Sequence, residues 1–580
     1  MAERMRLALL ITKQRWRQWW ARAAANPAYR WRLGLKIPGR LLIAPQDLRT
    51  GDPTIATDIY SGLFAFAGKS VSSEGKSPFE IKPPTREWAE ELLGFGWLRH
   101  LRSAGHALSK RNARALVADW ISILGKSQNL SWEAEITARR VLSWLTHSPM
   151  ILAGVDHAFY RTFMKSLGKQ VRYLRRIYPV TREGYPRLLV AIALTQAGLC
   201  MEGEKRILRS GVKRLITELR RQILPDGGHV SRNPGVLIEL LIDLLPLQQA
   251  FEARGAPVPS LLRSAIDRMM PMLRFFRHGD GSFAQFNGMG ATPTDLLATA
   301  LSYDDARGAP VMDAQHSGYQ RFELGNSVVI ADTGRAPVMQ VSHTAHAGCL
   351  SFEFSVKRNR IVVNCGVPQQ NKEAWLQAAR LTAAHSTATF HDSSSCKFLE
   401  GERANRVLGA AIVEGPRRVQ VARTERDGEF MIRTSHDGYA SRYGVIHQRS
   451  WRLTNEGNRL DGEDVFLPVR RDELPAGAPG DYAVRFHLHP SVKASRIKEG
   501  RSVLLILPGR ESWLFTAPNA RVELEESIFL SASEGPRRTS QIVIYDTVQE
   551  CPRVVWTFVR ADVPEPPKRV EEESPRLPID

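Results

Sequence analysis

The hydrophobic period of this chain changes once, near residue 316, and that change limits what it can fold into. From about 86 to 310, apolar residues recur every three to four positions. Ala113, Leu116, Val117, Trp120 and Ile121 share one helical face; Trp132, Ile136, Val141, Trp144 and Leu145 share a second; Phe163, Leu167, Val171 and Leu174 share a third. Amphipathic helices in series need one another to bury their stripes. After 316 the period is two. Leu350, Phe352, Phe354 and Val356 alternate with Ser351, Glu353 and Ser355, which predicts a half-buried strand. Further strands are predicted over 328–331, 410–413, 445–453, 482–488, 503–507 and 541–545. Helices followed by strands predict a multidomain chain, an α-helical part and then an antiparallel β-sandwich.

The predicted partition is 1–85, a basic helix and an irregular segment; 86–315, the helical domain; 316–562, the β-sandwich; and 563–580, a Pro- and charge-rich disordered tail. The 580 residues exceed one ordinary core. Five scattered cysteines without a CxxC spacing imply neither a disulfide framework nor a cysteine zinc site. The net charge of +20 favours polyanionic partners. No nucleic-acid-binding motif accompanies it, so nucleic acid is not the expected partner. No apolar run approaches the ~18 residues of a transmembrane helix. The N-terminal stretch with Trp16, Trp19 and Trp20 reads either as an amphipathic surface helix or as a helix packed on its own domain. Leu7 to Ile11 is too brief for a secretory signal, so the default location is cytoplasmic. Oligomeric state is not legible.

Three stretches carry the chemistry-bearing residues. His346, Asn364 and His385 lie on separate segments between residues 342 and 392, a candidate metal or catalytic cluster. A simple hairpin would leave Asn364 some ~20 Å from His346 at strand rise, so other pairing is needed to join them. In LPDGGHVSRNPGVLIELLIDLL (224–245), Asn233 before Pro234 reads first as a helix cap. His229 and Arg232 occupy its loop, where polar groups commonly carry function. HGDGSFAQFNGMG (278–290), with Asn287, follows no strand and is therefore not a nucleotide loop; it is expected to rim the same cleft.

The runs AHAGCLSFEF (345–354), VVNCG (362–366) and R-x-TAAHST (380–387) resemble the core of the heparinase II/III family of polysaccharide lyases. FGWLRHL (95–101), EITARRVLSWL (135–145), HDGY (436–439) and RFHLHP (485–490) add to the likeness. The resemblance implies a helical (α/α) toroid followed by an antiparallel β-sandwich. It implies β-elimination on an acidic, uronate-containing polysaccharide, with cell envelope or periplasm as the alternative location. In the family an Asn or His neutralises the substrate carboxylate, a Tyr acts as base and acid, and a His assists. A zinc is held by His, Asp and His. Carried over, the metal positions are His346, Asn364 and His385, with Asn364 where the Asp is expected. A neutral amide is a weaker zinc ligand, so the implied zinc site is weakened there. The family's first His falls on Thr344, beside His343. Its Tyr falls near Val236, and its upstream Asn-His pair falls near Pro186 and Arg187, beside Tyr185. The catalytic candidates are therefore His229, Tyr185 and His343. The substrate-binding candidates are Arg187, Arg232, Asn233 and Asn287. Loss of the family Tyr, Asp and one His leaves an alternative: a catalytically diverged polysaccharide-binding or envelope-polysaccharide assembly protein.

Overall fold

The computed structural model describes residues 37–562, except 126–128, 305–307, 369–372, 402–408, 427, 470–479 and 498–499, together with isolated helical positions at Thr12, Trp16 and Trp19. The expected N-terminal helix otherwise lies outside the described residues, as does the tail from 563.

The helical half runs α1 (Pro53–Tyr60), α2 (Arg86–Gly94), α3 (Leu98–Ala104), α4 (Ala107–Ile123), α5 (Ala134–Thr146), α6 (His157–Ile177), α7 (Tyr185–Cys200), α8 (Lys205–Gln222), α9 (Pro234–Ala253), α10 (Ser260–Phe275) and α11 (Thr294–Ser302). The segment before residue 86, expected to be irregular, instead holds α1 and a short hairpin (Leu63–Phe66 with Lys69–Ser72). Asp52 caps α1 through the Thr54 amide, Pro53 opens it, and Trp88 donates its indole N–H to the Phe64 carbonyl. Trp88, Trp120 and Trp144 are fully buried, and the helical apolar stripes merge into one core. Helix α9 starts where the sequence predicts: Asn233 Oδ1 accepts from the Gly235 amide at 2.8 Å, and Leu237, Leu240, Leu241, Leu244 and Leu245 are buried. Among the described residues no helix is long and apolar enough to cross a membrane.

The β half comprises β1 (Tyr319–Leu324), β2 (Ser327–Asp332), β3 (Phe352–Val356), β4 (Asn359–Val363), β5 (Ala388–Phe390), β6 (Val419–Arg426), β7 (Glu429–His436), β8 (Val445–Thr454), β9 (Arg459–Pro468), β10 (Asp481–Leu488), β11 (Lys493–Ile497), β12 (Ser502–Ile506), β13 (Ser512–Thr516), β14 (Val522–Phe529), β15 (Arg537–Thr547) and β16 (Arg553–Arg560). One sheet has the order β14-β15-β10-β4-β3-β2-β1 with a two-residue edge strand, β5 pairing with β10; the other has the order β6-β7-β8-β9-β16-β13-β12-β11. Their inner faces meet over a second core that includes Phe352, Phe354, Trp451, Phe486, Trp513 and Trp556.

Strand β3 departs from the half-buried expectation: all five of its residues are buried. Its polar face is covered by the helical half. His278, in the Gly-rich loop, meets Glu353 Oε2 at 3.0 Å through Nε2 and Ser355 Oγ at 2.8 Å through Nδ1. A side chain at Gly279 would collide with the Lys357 carbonyl, so the loop needs glycine to seat against the β3–β4 turn. The loop that the sequence places at the rim of a cleft thus forms part of the junction between the two halves.

Candidate functional site

A second set of contacts at the junction centres on an arginine. Arg232 donates from Nε to Ser317 O (2.7 Å), from Nη1 to the carbonyls of Gly334 (3.3 Å) and Arg335 (3.1 Å), and from Nη2 to Gly318 O (2.8 Å) and Asp332 Oδ1 (2.6 Å). Five bonds exhaust the guanidinium donors. Arg232 is therefore a clamp between the helical loop and the sandwich, with no donor left for a substrate carboxylate. Asn287 extends the clamp. Its Nδ2 donates to Tyr319 Oη (2.7 Å) and Asp332 Oδ2 (3.0 Å), and its Oδ1 accepts from the His346 amide at 3.2 Å. Both residues are in the left-handed backbone region, at φ 62° and 48°, a strain that such a network can hold in place.

His346 and His385 meet directly, Nδ1 to Nε2 at 2.9 Å. Helix α12 (Glu373–Arg380) fixes the first: Arg380 donates to the carbonyls of Ala345 (2.8 Å) and Ser342 (3.0 Å). The His385 Nδ1–H donates to Leu381 O at 2.8 Å. Its Nε2 then carries the lone pair, which accepts from His346 Nδ1–H. Nε2 of His346 is left with a lone pair and no hydrogen-bond partner among the described residues. Burial is the largest influence holding the His346 imidazole well below its ordinary range, followed by the neighbouring His385 and Arg380. Burial holds His385 down at about 4.

Asn364 joins this pair through the chain. Its Oδ1 accepts from the Ser386 amide (2.9 Å), and its Nδ2 donates to Glu353 Oε1 (3.3 Å). The three expected metal positions are thus brought together. Tested as a zinc site, they offer two neutral imidazoles in mutual hydrogen bond and an amide whose oxygen is already engaged. No anionic ligand completes the set, and this donor arrangement does not fit a zinc ion. Glu353 is the residue that sequence reasoning missed. Its alternating position predicts a solvent-facing carboxylate, yet it is fully buried between His278 and Asn364.

The remaining candidates are separate from that pair. His229 is buried; Nε2 donates to Gln222 Oε1 (3.0 Å), and Nδ1 accepts from Ser231 Oγ (2.7 Å) and the Ser231 amide (3.2 Å). Burial pushes it down to about 3. Arg187, in the first turn of α7, donates twice to the Thr181 carbonyl of the segment that precedes the helix, at 3.1 and 2.7 Å. The Tyr185 hydroxyl contacts Arg139 Nη2, and burial, opposed by Arg139, raises the phenol above its usual range. His343 is half-buried, with Nδ1 unpartnered, and is pushed down to about 3 by burial and then by Arg182 and Arg380.

A cavity of about 1500 Å³ opens within the helical half. Arg139 and Asp243 lie on its wall, joined at 2.7 Å, and Arg49 reaches Asp243 at 3.1 Å and Glu239 at 2.9 Å. These residues are about 100 to 200 positions apart, so no local pattern reveals the network.

A helical toroid feeding a two-sheet sandwich through such a junction defines a protein class, and the chain belongs to the heparinase II/III-like family. The description "Heparinase II/III-like, C-terminal" matches residues 306–557. The chain is 33% identical over 542 residues to FtsZ-localized protein C of Caulobacter vibrioides (strain NA1000 / CB15N), covering 92% of each chain. Among solved structures it resembles heparinase III (TM-score 0.72, 14% identity, covering 90% of this chain and 87% of that one). It also resembles a mutant of the heparan sulfate lyase HepC from Pedobacter heparinus (TM-score 0.63, 17% identity, covering 93% and 89%). At those identities the structural likeness speaks to fold.

Proposed function

We propose that this chain is a lyase-fold protein that binds a glycan without cleaving it and that it works at FtsZ. The observation that carries the reading is the state of the acid–base groups. β-Elimination needs a group to neutralise the uronate carboxylate, a base for the C5 proton and an acid for the leaving oxygen. Arg232 and Arg187 are occupied by backbone carbonyls and by ion pairing. Both ring nitrogens of His229 are bonded, and the Tyr185 phenol is held protonated. No step of this reading passes through a metal.

Localisation at FtsZ is carried over from the name of the relative, 92% of whose length this chain parallels. The second reading is elimination on a uronate polymer. It rests on the unpartnered lone pair at Nε2 of His346, but a base held so far below neutrality is weak against a carbon acid.

The test is imaging of a fluorescent fusion beside labelled FtsZ. Co-localisation that persists in His346→Ala is expected. A diffuse signal in the wild type contradicts the proposed place of action.

A further inference from the structure

The cavity in the helical half has the opposite charge balance to the chain. The whole sequence carries +20. The cavity wall presents seven carboxylates against five guanidinium groups, leaving it two charges negative. The one histidine on the wall, His100, is held at about 4 by burial and Arg99 and adds no positive charge near neutrality.

The five arginines are already engaged. Arg49 and Arg139 share Asp243 and Glu239. Arg86 pairs with Glu133 at 2.6 Å and Glu90 at 2.7 Å. Arg99 donates to the carbonyls of Thr50 (3.1 Å) and Gly96 (2.8 Å). Arg182 makes the loosest pair, 3.7 Å from Glu135. A polyanion entering here would meet excess carboxylate and would have to displace existing ion pairs.

A second observation points to a ligand. Gln196, on α7, lines the cavity at 3% exposure, yet its side-chain amide has no hydrogen-bond partner among the described residues. An amide on the wall carries both a donor and an acceptor, which a ligand hydroxyl or amide can engage. Phe66, Trp97, Trp132 and Tyr173 border the same space, each more than nine-tenths buried, and give its wall apolar character.

We infer that the cavity receives an amino-sugar glycan, in which protonated amines face Glu91 and Glu135 and a polar substituent meets Gln196, and that uronate polymers are disfavoured there. Burial is the largest influence on the carboxyls of Glu91 and Glu135 and raises both, against the opposing pull of Arg99 on the first and of Arg182 and Arg139 on the second. The inference rests on the glycan-binding reading above and departs from the acidic substrate that the overall charge suggests.

The experiment is calorimetric titration of the full chain with a free-amine glucosamine oligomer, its N-acetylated counterpart and an oligogalacturonate of equal length. The amine oligomer is expected to bind most tightly, with the uronate weaker by about tenfold or more. Glu135→Gln should weaken the amine ligand and, by freeing Arg182, strengthen the uronate. Glu91→Gln should weaken the amine ligand alone, while Glu550→Gln, a charge change on the exposed surface, should move neither. Tighter binding of the uronate, or amine binding unmoved by both cavity variants, overturns this inference and leaves the binding reading standing. Binding of none of the three overturns the binding reading and this inference with it.

Discussion

His229 occupies the loop where a replacement base is expected, and its environment makes it a structural group. With both ring nitrogens bonded and the imidazole at about 3, it stays neutral in the fold, whereas an exposed histidine titrates near 6.5. Between those values the unfolded chain binds the proton and the folded chain does not, so stability falls as pH drops through the window. His385, at about 4, acts in the same direction. The slope approaches about 1.4 kcal/mol per pH unit for each such histidine. Denaturant titrations from about pH 7 to about pH 5 should show this loss, and His229→Gln should flatten it; an unchanged slope in the variant contradicts the assignment. Residue identities at the junction were legible, but their engagement was not. The carbonyls that occupy Arg232 lie 85 to 103 positions away, beyond any local pattern.

Element-level signals read well where they depend on near neighbours. The Asn233-Pro234 pair marks the start of α9 because an Asn oxygen caps the second free amide and proline needs no donor at the first position. Asn233→Ala should therefore cost about 1 kcal/mol of stability, measured as a shifted denaturation midpoint, while leaving glycan affinity unchanged. A loss of affinity at unchanged stability would instead place Asn233 in the binding site. Element-level signals fail where a second layer covers a face. The alternation over 350–356 predicts one wet face, but the Gly-rich loop lies on it and converts Glu353 and Ser355 into buried partners of His278. Helix α1 and its hairpin were missed because they are short and flanked by turn residues.

At the scale of the whole molecule, the change of period near residue 316 makes the order of the layers readable from sequence, since helices and strands need different repeats to bury one face. Total charge was a poorer guide: +20 over the chain coexists with a net-negative cavity, because charge balance is a property of each surface. The same separation holds between fold and chemistry. The fold is that of the family, while Arg232, Arg187 and His229 are bonded within it. The most direct measurement is ultraviolet absorbance of unsaturated product after incubating the pure protein with a broad panel of uronate polymers. The account predicts no product from any of them. Steady product formation by the wild type that is abolished in His346→Ala would contradict it.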